Sequence, residues 1–124
     1  MTGSNVLFVD DDFWCHLENC EYLREGGLQV VEAWTASEAC AVLAGGQCLT
    51  ALVTDIELGD SIDGYEIARR ARAAWPHLPV VYMSGTTASR HAGEGVARSQ
   101  FVAKPFQPHQ IVDALARATC LEAV

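Results

Sequence analysis

Five short apolar runs alternate with stretches of helical spacing along the whole 124-residue chain. The runs fall at residues 6–9, 28–33, 49–54, 79–83 and 101–103, each too short for a helix and rich in β-branched or aromatic residues. The segments between them carry helix punctuation. Asp12 caps a helix at 13–25, with Phe13, Leu17, Cys20 and Leu23 inward, and Gly26-Gly27 stops it. Thr35 caps a second helix containing Ala39, Val42 and Leu43, which ends at Gly45-Gly46. A third helix is expected at 64–75, with Ile67, Ala68 and Ala71 inward and Pro76 just past its end. A fourth, at 86–96, is weakened by Gly93 and Gly95, each costing about 1 kcal/mol relative to alanine. The last spans 107–121, with Ile111, Val112, Leu115 and Ala118 inward. Continuous apolar strands alternating with helices require a parallel sheet covered on both faces. Right-handed crossovers then leave few topologies.

The length suits one domain, residues 1–124, which can bury about two thirds of its unfolded surface. A net charge of −8 argues against nucleic-acid backbones and anionic membranes, both of which need basic patches. No apolar run approaches the ~20 residues of a membrane-spanning helix. The first five residues lack the basic and apolar regions of a secretory signal, so a cytoplasmic protein is expected. Cys15, Cys20, Cys40, Cys48 and Cys120 make an odd set without a CxxC pair, read as reduced thiols serving as small core residues. Neither they nor His16, His77, His91 and His109 show zinc-finger spacing, and the histidines are assigned to surface or loop positions.

The charges that matter stand at the carboxyl ends of the runs, where open parallel sheets bind ligands. Asp10, Asp11 and Asp12 follow the first run, Asp55 the third and Lys104-Pro105 the fifth. Helix capping explains Asp12 but not Asp10 and Asp11, which precede the cap. Carboxylates packed ~4 Å apart repel by roughly 4 kcal/mol at an effective dielectric of 20, so the group calls for a cation, a proton or a lysine, and the chain offers a lysine and a plausible metal site. Hard oxygen ligands of this kind suit Mg²⁺. Asp55 is the candidate nucleophile, since carboxylates form acyl phosphates. Ser84-Gly85, after the fourth run, offers a hydroxyl to a phosphoryl oxygen; helix capping is its alternative role. A metal, a lysine, a hydroxyl and an aspartate supply the neutralisation and alignment that phosphoryl transfer needs.

Taken in order, Val6-Leu7-Phe8-Val9-Asp10-Asp11-Asp12, Val53-Thr54-Asp55, Asp63-Gly64, Met83-Ser84-Gly85 and Phe101-Val102-Ala103-Lys104-Pro105-Phe106 resemble the receiver domain of two-component response regulators over nearly the full length. The resemblance implies a flavodoxin-like (βα)5 three-layer α/β sandwich with strand order 2-1-3-4-5. It implies that Asp55 accepts a phosphoryl group from a histidine of a sensor kinase or phosphotransfer protein. It further implies direct Mg²⁺ binding by Asp11, largely water-mediated binding by Asp10, and a further ligand in the Glu57 backbone carbonyl. Lys104 and Ser84 would each meet a phosphoryl oxygen, Phe101 would be the aromatic switch, and the Lys104-Pro105 bond would be cis. The chain would be a stand-alone, single-domain receiver that acts by binding a downstream effector protein, or by homodimerising, through the face of the fourth helix, fifth strand and fifth helix. It would not be an enzyme beyond its own phosphorylation and dephosphorylation. Two alternatives remain: a receiver module of a hybrid histidine kinase or larger regulator, and, remotely, a Mg²⁺-dependent phosphatase with Asp55 as nucleophile and Glu57 as second acid. The chain departs from the family pattern at Gly59, where proline is usual, at acidic Glu57, and in a loop to Asp63 that is one residue longer.

Overall fold

The computed structural model describes residues 5–59, 61–85 and 93–123. The strands are β1 (Asn5–Val9), β2 (Gln29–Ala33), β3 (Ala51–Asp55), β4 (Val80–Ser84) and β5 (Gln100–Ala103). The helices are α1 (Phe13–Glu25), α2 (Ala36–Ala44), α3 (Gly64–Ala74) and α4 (Pro108–Ala123). All strand pairs are parallel, in the order β2-β1-β3-β4-β5, giving the flavodoxin-like α/β arrangement. The fourth helix expected from the sequence, 86–96, lies mostly outside the described residues.

Alternation along each strand divides the core into two layers. Leu7, Val9, Leu52, Val80 and Tyr82 meet Ile67, Ala68 and Ala71 on one face. Val6, Phe8, Val53, Val81 and Met83 meet Cys20, Leu23, Ile111 and Leu115 on the other. Most of these side chains are almost wholly buried, each contributing about 1.5–3 kcal/mol from removal of its apolar area from water. The caps form as the residue types dictate. Asp12 accepts from Cys15 N at 2.9 Å, Thr35 from Glu38 N at 3.0 Å and Asp63 from Glu66 N at 3.1 Å. Arg72 donates to the carbonyls of Leu78 and Ala97, both at 2.7 Å, tying α3 to the segment that leads into β5.

Several sequence expectations change. Phe13 and Leu17 are exposed, and the inward stripe of α1 is His16, Asn19, Cys20 and Leu23. Val112 is exposed, while Ile111, Leu115 and Ala118 are buried as expected. Of the five cysteines only Cys20 is fully buried; Cys48 and Cys120 are exposed, so thiols are not general core residues here. His77 and His109 are exposed, but His16 is completely buried. Among the described residues no helix is long and apolar enough to cross a membrane.

Candidate functional site

Strand register brings the charges together. Val9 lies opposite Thr54, so Asp10 emerges beside Asp55; Ser84 lies opposite Ala103, so Lys104 follows at the same edge. Backbone bonds from Ile56 N to the Met83 carbonyl at 3.0 Å and from Lys104 N to the Ser84 carbonyl at 2.9 Å carry the ladder past the strand ends. Asp10, Asp11 and Asp55 each offer an oxygen, and these lie within 4.8 Å of one another. Lys104 Nζ donates to Asp55 Oδ2 at 3.0 Å and stands 3.6 Å from Asp10 Oδ1. The Lys104–Pro105 peptide bond is cis.

Asp10 is completely buried, Asp55 nearly so, and Asp11 is exposed. Asp10 Oδ1 accepts from Asp12 N at 3.0 Å; Oδ2 is buried with no hydrogen-bond partner among the described residues. A buried carboxylate oxygen in that condition is costly unless a cation or donor meets it. Burial raises the Asp55 carboxyl to about 7 despite the pull of Lys104, with Asp10 pushing the same way. Burial works against the Lys104 ammonium, but Asp10 and Asp55 outweigh it and hold the group above the ordinary lysine range. Two carboxylates thus share one lysine, and the site stays short of positive charge. The donor set, all carboxylate oxygens with one of them orphaned, fits a hard divalent cation.

Glu57 and Ser84 approach each other rather than standing apart. Ser84 Oγ donates to Glu57 Oε1 at 2.8 Å, and Glu57 N donates to Asp55 Oδ1 at 3.3 Å. Phe101 is partly buried against the α2–α3 side of the core. Gly59 has φ +72°, and a Cβ there would sit 3.8 Å from Asp11 Oδ2. Proline, fixed near φ −65°, cannot adopt this turn, which accounts for glycine in a loop that departs from the family pattern. At Gly64 a Cβ would collide with the carbonyl oxygen of Asp55, so α3 can start this close to the site only with glycine.

The residue that sequence reasoning missed is His16. Its Nδ1 lies 2.8 Å from the Asp10 carbonyl and its Nε2 2.9 Å from Glu32 Oε1. A carbonyl only accepts, so Nδ1 carries a proton. The ring stacks on Trp34 at 3.6 Å and meets the edge of Phe8 at 5.3 Å. Arg24 holds the other Glu32 oxygen at 2.7 Å. Burial opposes ionisation of Glu32, but the hydrogen bonds from Arg24 and His16 hold its carboxyl below the ordinary range. His16, Cys20 and Glu32 also bring ligand atoms within 4.8 Å, yet the histidine and the carboxylate already satisfy each other. The spacing His16-Asn19-Cys20-Leu23 was the available signal: a helical stripe whose polar members hid it. A cavity of about 720 Å³ lies at the opposite end of the sheet, lined by residues including Leu28, Trp75, Pro79 and Leu115. It contains none of the acids, and the chemistry lies at the carboxyl ends of the strands.

Comparison with known proteins agrees with this geometry. A family model described as the response regulator receiver domain matches residues 6–116. Response regulator protein FleR of Pseudomonas aeruginosa is 28% identical over 117 residues, covering 93% of this chain and 24% of FleR. The chain thus spans about a quarter of the length of that curated relative. A response regulator receiver protein from Sinorhizobium medicae WSM419 superposes with a TM-score of 0.92 at 30% identity, covering 97% of each chain. The receiver domain of the hybrid histidine kinase CckA superposes with a TM-score of 0.74 at 22% identity, covering 94% of this chain and 99% of the other, a likeness of fold. The strand-end acids and lysine therefore stand in a family with matching sequence and fold, and the chain belongs to the response regulator receiver domains.

Proposed function

We propose that this receiver is a phosphorylation switch in which Asp55 takes a phosphoryl group from a phosphohistidine of a sensor kinase or phosphotransfer protein. The observation that carries the reading is Asp55 at the end of the central strand, 3.0 Å from Lys104 Nζ and grouped with Asp10 and Asp11. A carboxylate oxygen of Asp55 attacks phosphorus, the N–P bond breaks, and the histidine leaves with the bonding pair. Lys104 neutralises charge on the transferred group and Ser84 donates to one of its oxygens. Asp10, Asp11, Asp55 and the Glu57 backbone carbonyl would hold Mg²⁺, which when bound supplies the positive charge that one lysine cannot.

On this reading the protein is a signalling module, not a turnover enzyme. The phosphatase alternative needs Glu57 as a general acid, whereas its carboxylate accepts the Ser84 hydroxyl. FleR, of which the chain covers 24%, favours the alternative of a module of a larger regulator, and the Sinorhizobium medicae receiver protein, covered to 97%, favours a stand-alone receiver. Five free thiols fit a reducing compartment, the cytoplasm. The signal would leave through an effector protein, or through a second copy, on the face of β5, α4 and the helix expected at 86–96. Ser84 and Phe101 lie at its base.

The test is incubation with a small phosphodonor and Mg²⁺, read by intact mass. One phosphoryl group per wild-type chain and none on Asp55→Asn is expected. Stable aspartyl phosphate on Asp55→Asn, or sustained turnover of a generic phosphatase substrate, would contradict the reading. Amide exchange with beryllofluoride should change most between residues 86 and 107; changes confined to α3 would move the output face elsewhere.

A further inference from the structure

We propose that Glu57 is a positioning residue that sequesters the Ser84 hydroxyl before phosphorylation, so that the phosphoryl group must displace a carboxylate to complete the switch. This rests on the reading of Asp55 as phosphoacceptor. Ser84 has one hydroxyl hydrogen, and it is directed to Glu57 Oε1 at 2.8 Å. The same hydrogen cannot be given to a phosphoryl oxygen at the same time.

The two residues differ in freedom. Ser84 is buried at the end of β4, while Glu57 is exposed in the loop between β3 and α3. The partner able to leave is therefore Glu57, whose side chain can turn into water without disturbing the core. Its backbone has a separate task, since Glu57 N donates to Asp55 Oδ1 at 3.3 Å. One residue thus touches the acceptor through its main chain and the hydroxyl through its side chain.

A phosphoryl group on Asp55 would bring about two negative charges and three strong acceptor oxygens to this place. It competes with Glu57 for the serine proton and repels the Glu57 carboxylate. Until the group arrives, the carboxylate is the better acceptor and the hydroxyl stays with it. A hydrogen bond to a charged group is the stronger kind, so its loss is expected to ease the switch by about tenfold. The device sets a threshold: weak or partial occupancy of the site leaves Ser84 where it is.

Beryllofluoride, an acyl-phosphate mimic, tests this at saturating Mg²⁺. The concentration for half-saturation is measured by NMR for wild type, Glu57→Gln, Glu57→Ala, Ser84→Ala and the double variant Glu57→Ala/Ser84→Ala. Glu57→Ala should half-saturate at about one tenth of the wild-type concentration, with Glu57→Gln between, because the amide oxygen still accepts but carries no charge. The gain should vanish when Ser84 is already alanine. A Glu57→Ala value within twofold of wild type overturns the proposal. So does an equal gain with Ser84 present or absent, which would make Glu57 a source of general repulsion only. The underlying reading fails separately, if wild type and Asp55→Asn bind beryllofluoride alike.

Discussion

Asp55→Asn should stabilise the metal-free domain at pH 8 and destabilise it by about 1 kcal/mol at pH 4, where the wild-type acid is already neutral in the folded chain and only the cost of the amide donors remains. Burial and Asp10 raise the Asp55 carboxyl from 3.8 to about 7 in the folded chain. A carboxyl whose folded value lies above its unfolded value contributes stability below about pH 4. That contribution is lost as pH rises through about 7. At 1.36 kcal/mol per pH unit, the interval from 3.8 to about 7 corresponds to about 4 kcal/mol. Asparagine imitates the neutral acid and avoids this penalty. It keeps an amide oxygen for Lys104, which now sits 3.0 Å from Asp55 Oδ2, but brings two N–H donors into a nearly closed site. Placing those donors costs about 1–2 kcal/mol. The net gain at pH 8 is therefore about 2–3 kcal/mol, readable as a higher urea midpoint with an unchanged slope. Saturating Mg²⁺ should narrow the difference, since a bound cation relieves the same crowding in the wild type. The reasoning is refuted if Asp55→Asn is no more stable than wild type at pH 8, or if the gap between them is the same at pH 4.

Asp11→Ala should abolish Mg²⁺-dependent phosphorylation while leaving the fold intact, and should stabilise the metal-free form by up to about 1 kcal/mol; Mg²⁺ titration and thermal unfolding check the two halves. Gly64→Ala, whose methyl would collide with the Asp55 carbonyl, should cost about 1–3 kcal/mol in urea unfolding and slow phosphorylation, because relief requires moving the acceptor's own backbone. His16→Leu should cost about 3 kcal/mol by leaving the Asp10 carbonyl and Glu32 Oε1 without their donor, and His16→Asn, which restores an N–H near the former Nδ1, should recover part of it.

Strand-end chemistry was legible because parallel register allows little choice: once 6–9 and 49–54 are adjacent strands, Asp10 and Asp55 must emerge side by side. Gly26, Gly45 and Pro76 likewise marked where helices end, since each acts through local backbone physics. What failed was the inward face of α1. Hydrophobicity selected Phe13 and Leu17, but His16 and Asn19 occupy the core side, each with a polar partner. His16 is justified in part by a partner distant in sequence, Glu32, and no local pattern contains that information. The engagement of Ser84 by Glu57 was hidden for the same reason: it joins the end of β4 to the loop after β3 through side chains 27 positions apart.

The stacking of Trp34 on His16 also gives the molecule an optical gauge. The two rings lie 3.6 Å apart and within 9° of parallel, and the imidazole is bonded in turn to the carbonyl of Asp10. An indole in face contact with an imidazole emits according to that contact, so a small shift of Asp10 is passed to a chromophore through one intervening ring. Trp14 stands in solvent, and Trp75 lines the cavity at the other end of the sheet. With those two replaced by phenylalanine, the remaining emission would follow events at the acidic cluster in real time, without a dye.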